Sequence, residues 1–335
     1  MARREAAREP RVAMHETLTD DAPTDEARAR AALACVPGWA GRRPEIEAAL
    51  PVLASPSWRG ADGTPLRARD AATGETLFVK LMAPDAAATI DFACAFAAAT
   101  RAGEIGVGPR VLLADVEAGV LVQEDLGDGW RVATLDTLLD PAVVDRVAAA
   151  RRRFQDVPPL PRTASVFDEI ERFYAASRDA AADLPADADW LVDSLRLAAA
   201  AIAPAAGPPV PVHGDGNVSN IMVHAEGDVR LVDFDRAANA DPLEDLGSFL
   251  AEAHAFEPEA RDTFVRLTGG FDEAAFNRAR LYGIADDLRW GLIGCLTAAV
   301  SPRRTLEFHK YASWRFVRCR VAVREPRFAE RLRRV

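Results

Sequence analysis

His213-Gly214-Asp215-Gly216-Asn217-Val218-Ser219-Asn220, followed after one apolar hairpin by Leu231-Val232-Asp233-Phe234-Asp235, decides the reading of this chain. Between the two polar clusters lie Ile221-Met222-Val223 and Val229-Arg230-Leu231-Val232. They are separated by Ala225-Glu226-Gly227-Asp228, the composition of a hairpin with a four- or five-residue loop. In the simplest register Asn220 stands opposite Asp233, and facing residues on an antiparallel pair have Cβ atoms about 4.5 to 5.5 Å apart. An amide oxygen and a carboxylate then project together beyond the open end of the hairpin. Such a pair suits one magnesium ion, which takes oxygen ligands from one or two protein groups and the rest from phosphates and water. Asp215, in the loop just before Asn220, lies near the same spot and is left to act as a base.

The spacing His-x-Asp-x-x-x-x-Asn followed by an apolar-flanked Asp is the arrangement of kinase catalytic loops. This chain writes His213-Gly214-Asp215 where protein kinases carry His-Arg-Asp, and Asp233-Phe234-Asp235 where they carry Asp-Phe-Gly. In both respects it resembles the aminoglycoside phosphotransferase and choline/ethanolamine kinase branch of the kinase-like superfamily. The resemblance implies an α+β, bilobal kinase-like fold with a small N-terminal lobe of antiparallel sheet and one helix, and a larger, mainly helical C-terminal lobe. It also implies ATP and Mg2+ as cofactors, with Asp215, Asn220 and Asp233 as catalytic residues and Asn220 and Asp233 on the metal. The competing reading, in which these residues merely cap turns around a hairpin, leaves three matched polar positions unexplained.

The 335 residues are 49% hydrophobic and 27% charged, ordinary for a water-soluble chain and too long for one compact core, so two lobes are expected. A formal net charge of -10 excludes the long-range field that would draw in nucleic acid or an anionic membrane, and suits a cationic substrate. Cys35, Cys94, Cys295 and Cys319 are scattered without metal spacing and read as reduced core thiols. No apolar run approaches the roughly 18 to 20 residues of a membrane span, and the charged start lacks an apolar signal core, so a cytoplasmic protein is expected. Residues 1–22 carry neither periodicity nor large apolar groups and read as a disordered tail, with Met14 a second candidate start.

Thr24 with Asp25-Glu26 opens a capped helix that runs to Val36, and Pro44 to Leu50 reads as a second short helix. The period then changes: Leu66 to Arg69 and Thr76 to Met82 read as adjacent antiparallel strands joined through Ala71-Ala72-Thr73-Gly74-Glu75. Lys80 in the second strand resembles the kinase lysine that neutralises ATP phosphates. It is one of only two lysines, with Lys310, in an arginine-rich chain. Ser55-Pro56-Ser57-Trp58-Arg59-Gly60-Ala61-Asp62-Gly63 stands where kinases place a phosphate-covering loop, although two glycines serve an ordinary turn equally well. The alanine-rich helix from Asp85 to Arg101 has no interior Glu to pair with Lys80, and Asp91 is the nearest candidate. A strand through Gly119 to Leu126 would end, by resemblance, at a hinge where Gln123 and Glu124 meet the adenine. The lobe boundary is expected near residue 127, giving a nucleotide-binding lobe of residues 23–127 and a catalytic and substrate lobe of residues 128–335. Helices are expected after Gly129 at residues 135–139, 141–154, 165–182 and 187–203.

Past the metal Asp, Asn239-Ala240-Asp241-Pro242-Leu243-Glu244-Asp245-Leu246 resembles the segment that leaves the metal site in choline kinases, with Asp241 and Asp245 as capping and loop-binding groups. In the helix from Asn277 to Val300, Leu281, Ile284, Leu288, Leu292 and Cys295 form one stripe, and Trp290 falls roughly opposite beside Asp286 and Asp287. An aromatic face among acids suits a quaternary ammonium group; a central helix buried on both faces is the plainer explanation. By resemblance, Asp235, Glu252, Trp290 and Tyr311 are the acceptor-binding residues. Ile293 stands where choline kinases often carry a further Trp, which thins the aromatic box. The arginine-rich end, with Arg318, Arg320, Arg324, Arg327 and Arg331, reads as a solvated face.

Taken together these features describe an ATP-dependent phosphotransferase acting on the hydroxyl of a small cationic acceptor such as choline or ethanolamine. A wide acidic groove for an aminoglycoside is the second enzyme reading. A nucleotide-binding pseudokinase is a third, favoured by the missing helix Glu and opposed by Asp215, Asn220 and Asp233.

Overall fold

The computed structural model describes residues 23–335; the tail assigned above to residues 1–22 lies outside them. Helix α1 (Asp25–Cys35) starts at Thr24, whose hydroxyl accepts from the Ala27 amide at 3.2 Å. A five-stranded antiparallel sheet follows: β1 (Glu45–Ala48), β2 (Gly63–Arg69), β3 (Thr76–Met82), β4 (Val111–Asp115) and β5 (Val120–Glu124), in the order β1-β2-β3-β5-β4. Leu77, Val79 and Leu81 point to the face covered by α1, beside Leu33 and Val36, so every second residue of β3 is buried there. Lys80, between two of them, points to the opposite face.

Pro44 to Leu50 does not form the expected helix. Glu45–Ala48 extends along β2, with Glu45 opposite Arg69 and Ala48 opposite Leu66. A segment this short forms too few helical hydrogen bonds to offset nucleation, whereas the open edge of β2 offers partners. The helix expected from Asp85 is also split. A single 3-10 turn spans Pro84–Ala88, and α2 (Phe92–Glu104) begins only after Asp91, whose carboxylate caps it by accepting from the Cys94 amide at 3.0 Å.

Beyond residue 127 come β6 (Trp130–Val132), α3 (Pro141–Gln155), α4 (Val166–Asp179), α5 (Ala188–Ile202) and β7 (Val210–Val212). The hairpin β8 (Ile221–His224) and β9 (Val229–Leu231) follows, then β10 (Ala238–Ala240). The helices α6 (Pro242–Ala253), α7 (Glu257–Thr268), α8 (Glu273–Val300), α9 (Phe308–Arg324) and α10 (Pro326–Leu332) close the chain. The four helical segments expected between residues 135 and 203 all form, the first as a 3-10 turn; β6, which pairs with β8, was not anticipated. No helix of the described residues is long and apolar enough to cross a membrane.

The 28-residue α8 is the axis of the helical part, and it is buried almost all round from Phe276 to Thr297. Trp290, 2% exposed, therefore lies inside the core and not off it. The arginine-rich end is likewise no solvated face throughout. Arg315 and Arg331 are buried, Arg318 reaches Asp287, and Arg320 forms two 2.6 Å bonds to Asp187. Helical periodicity registers which side of α9 is polar, but it carries no information on the acids that other helices place opposite.

Candidate active site

The β8–β9 hairpin sets the geometry. The His224 amide donates to Asp228 O and the Gly227 amide to His224 O, both at 2.8 Å, so the loop has three residues, Ala225 to Gly227, with Gly227 at φ 94°. A three-residue loop ending in a left-handed glycine is a common hairpin closure. It moves the register by one from that expected: Ile221 faces Leu231, and the Val232 amide donates to Asn220 O at 2.9 Å. Asp233 therefore lies one residue beyond Asn220's partner. It reaches the site through a left-handed backbone, φ 65°, which Asp tolerates better than most residues.

Asn220 and Asp233 both line one cavity of about 310 Å³ between the sheet and the hairpin, together with Lys80 and Asp235. Lys80 Nζ donates to Asp233 Oδ1 at 2.5 Å and to Asp235 Oδ2 at 2.7 Å. These two carboxylates, and not Asp91, are the lysine's partners. Burial works against the charge on Lys80, but Asp233 and Asp235 outweigh it and keep the ammonium protonated. Asp233 is raised by burial and lowered more strongly by Lys80, so it stays ionised. Asp235, buried and facing the charge of Asp233, is pushed up to about 7. Gln123 and Glu124, at the end of β5, line the same cavity, along with Phe78 and Leu121.

Asp215 lies behind Asn220 of this cavity, 6% exposed. Its Oδ1 accepts from the Asn217 amide at 2.9 Å and its Oδ2 from Asn220 Nδ2 at 2.8 Å. Burial, with Asp286 and Asp233 adding to it and the Asn217 amide opposing, pushes its carboxyl up to about 7. The preceding His213 is buried and near Arg151, which pulls its pKa down to about 4. The neutral ring donates from Nε2 to Val232 O at 2.9 Å and packs on Phe234 at 4.6 Å between ring centroids. It ties the loop of Asp215 to the end of β9.

A buried ionic frame holds the loop from below. Asp245 accepts from the Gly214 amide at 2.9 Å and from Arg151 at 2.7 Å, and Arg151 donates on to Asp215 O at 3.0 Å. Arg289 donates to Gly214 O at 2.6 Å, to Glu169 at 2.8 Å and to Asp286. Gly214 itself, at φ 74°, lies so near Arg236 that a Cβ would stand 2.3 Å from its carbonyl oxygen. Asp245 thus bonds the catalytic loop as expected, while Asp241 caps α6 through the Leu243 amide at 2.9 Å.

Tyr311, which feels the charge of Asp215, belongs to an aromatic cluster. Trp290 and Tyr311 meet edge to face at 5.9 Å, and Trp58, from the loop between β1 and β2, lies 5.5 Å from Trp290, 5.4 Å from Tyr311 and 5.1 Å from Phe308. Arg236 stands 5.4 Å over the Trp290 ring. Tyr311 Oη accepts from Arg315 at 2.6 Å. Glu252 is not in this cluster: its carboxylate accepts from Arg315 at 3.1 Å and from Arg318 at 3.3 Å. The sequence offers Trp58 and Asp62 only as part of a phosphate-covering loop or an ordinary turn, and Arg236 not at all. The single signal was a tryptophan set among small and polar residues at Ser57-Trp58-Arg59-Gly60, where a solvated turn has no use for one.

The phosphotransferase enzyme family pattern, APH, matches residues 57–283, which takes in the loop at Trp58, Lys80, the loop of Asp215 and the first part of α8. The chain belongs to this family. It is a small-molecule phosphotransferase, and its solved structural relatives share the fold. A choline/ethanolamine kinase family protein from Mesorhizobium loti is 24% identical, with 91% of this chain and 97% of that one covered and a TM-score of 0.73. Choline kinase LicA from Streptococcus pneumoniae, solved also in complex with AMP, is 15% identical over 83% of this chain and 92% of that one, with a TM-score of 0.68. An ethanolamine kinase from Plasmodium vivax is 16% identical over 86% and 84% of the two chains, with a TM-score of 0.66. No curated protein sequence matches the chain.

Proposed function

We propose that this phosphotransferase moves the terminal phosphoryl group of ATP, with magnesium, to the hydroxyl of a small cationic acceptor such as choline or ethanolamine. The observation that carries the reading is the Asp215 carboxylate, which accepts from Asn220 on the wall of the cavity that holds Lys80 and whose charge acts on Tyr311 in the cluster with Trp290. On this reading residues 23–127 form the nucleotide-binding lobe and residues 128–335 the catalytic and acceptor lobe.

The residues present fit both cofactors. The cavity of about 310 Å³ is at the lower end for small-molecule sites, and Phe78 and Leu121 offer apolar walls for a base near Gln123 and Glu124. Asn220 spends its amide N–H on Asp215 and keeps its oxygen, and Asp233 is ionised, so two hard oxygen donors of the kind magnesium prefers stand together. Bound magnesium–ATP supplies the transferable group and offsets charge along the phosphates.

The chain's own part is positioning and proton transfer. Lys80 holds positive charge at the phosphate end of the cavity. Asp215, with both oxygens fixed by Asn217 and Asn220, orients the acceptor hydroxyl and takes its proton. Aromatic rings beside it accept an ammonium head through their faces, at about 0.5 to 2 kcal/mol per contact. Coupled ADP release measured across choline, ethanolamine and a set of aminoglycosides tests the acceptor. Acceptor-dependent release with an amino alcohol is expected; release with aminoglycosides alone rejects the amino-alcohol reading.

A further inference from the structure

The strap that joins β1 to β2 touches both halves of the site. The Leu53 and Arg59 backbones pair with each other and close a small loop with Trp58 beside the pair. Arg59, Gly60 and Gly63 line the nucleotide cavity, while Trp58, 4% exposed, lies among Trp290, Phe308 and Tyr311. The strap is pinned in this position. Asn217 Nδ2 donates to Trp58 O at 3.1 Å, Arg303 to Ala61 O at 2.5 Å, and the Trp58 indole N–H to Asp62 Oδ2 at 2.7 Å. Asp62 is raised by burial and feels the charges of Arg236, Asp233 and Lys80, so the latch of Trp58 stands at the edge of the phosphate end.

Distances between the rings show what Trp58 does there. A cation gripped by two aromatic faces lies within about 6 Å of each centroid, so opposing walls stand roughly 8 to 10 Å apart. Trp58 is in direct contact with all three neighbours, at 5.1 to 5.5 Å, and leaves no such gap. The Trp290 indole N–H is buried in the same cluster with no acceptor among the described residues. Buried indole donors are usually satisfied, and this one is satisfied by nothing in the closed arrangement.

We propose that Trp58 occupies the acceptor's own place in this conformation, and that the strap must lift Trp58 out before an acceptor reaches Asp215. Trp58 is then the residue that governs which acceptors enter. The inference rests on the acceptor site proposed above, in that it identifies the aromatic cluster as that site. Its consequence is an apparent affinity reduced by the fraction of time the strap is open.

Steady-state kinetics of Trp58→Ala and Trp58→Phe, on whichever compound of the panel is turned over, decide the matter. If closure outweighs opening by about ten to one, Trp58→Ala lowers the acceptor KM about tenfold, with the KM for ATP little changed. Trp58→Phe, which keeps packing but loses the bond to Asp62, falls between the two and decides the question if the alanine variant does not fold. An acceptor KM that is unchanged or raised in the folded variant overturns the proposal and makes Trp58 a wall or a packing residue. If no compound of the panel is turned over, the acceptor reading has failed separately, and ATP hydrolysis without acceptor decides. In that reaction water forms the new bond to the γ-phosphorus, the bond to the β-phosphate oxygen breaks, and the released proton goes to Asp215. Opening the space beside Asp215 raises this rate several-fold in Trp58→Ala, and an unchanged rate overturns the proposal.

Discussion

A base that takes a proton from an alcohol works best with a pKa near the working pH, and burial pushes Asp215 up to about 7. kcat/KM should therefore fall about tenfold per pH unit below that point and level off above it, as titration of a single required base dictates. Asp215→Asn should lose about a hundredfold or more of turnover and keep nucleotide binding, since general-base catalysis contributes typically 10²–10⁴-fold; calorimetric titration with ATP separates the two effects. The same shift has a stability sign. The folded pKa lies above the unfolded value, so Asp215's contribution is intact below about pH 4 and is lost as pH rises through about 7. Urea midpoints of wild type should fall relative to those of Asp215→Asn across that window. Lys80 faces a different test. Lys80→Met leaves Asp233 and Asp235 side by side without a cation, so one of them holds a proton. The expected outcome is weaker ATP binding and kcat lower by about 10², with Lys80→Arg failing to restore either, because a planar guanidinium does not replace a point charge between two carboxylates.

At the scale of elements, the short-range features of the site were legible and the long-range ones were not. Asp215, Asn220 and Asp233 fall within one loop and one hairpin, where spacing alone brings them together. The hairpin register differs by one from that expected because loop length, three residues instead of four or five, depends on whether Gly227 takes a left-handed backbone. β1 was read as a helix because its partner edge on β2 is a tertiary fact. The partners of Lys80 come from the other side of the cleft, which no helix or strand period reveals. α9 shows the same limit: Arg315 lies inside, donating to Tyr311 Oη at 2.6 Å, Asp287 at 2.9 Å and Glu252 at 3.1 Å. Removing one member of a buried ionic set strands the others, at a cost of about 3 to 5 kcal/mol. Arg315→Met should show a loss of that size in urea unfolding, whereas Arg324→Met, on the exposed side of the same helix, should change stability by less than about 0.5 kcal/mol.

Over the whole molecule, the sheet, the helical part and the strap at Trp58 converge on the catalytic loop. Lys80 approaches it from β3, Asp245 and Arg289 hold it from α6 and α8, and Asn217 ties it to the strap. This convergence explains why the reaction was easier to read than the acceptor. Phosphoryl transfer needs a few charges at fixed spacing, most of them near one another in the chain, while the aromatic cluster proposed for the acceptor, with Trp290, Phe308 and Tyr311 around Trp58, is assembled only by the folded chain. The central claim is that Asp215 directs the phosphoryl group of ATP onto an acceptor hydroxyl. Phosphorus NMR of wild type and Asp215→Asn, each incubated with magnesium, ATP and choline or ethanolamine, tests it most directly. In wild type a phosphomonoester signal should grow in step with ADP, and in Asp215→Asn it should be slower by about a hundredfold or more. ADP without a phosphomonoester, or a phosphomonoester formed equally fast by both proteins, would contradict the account.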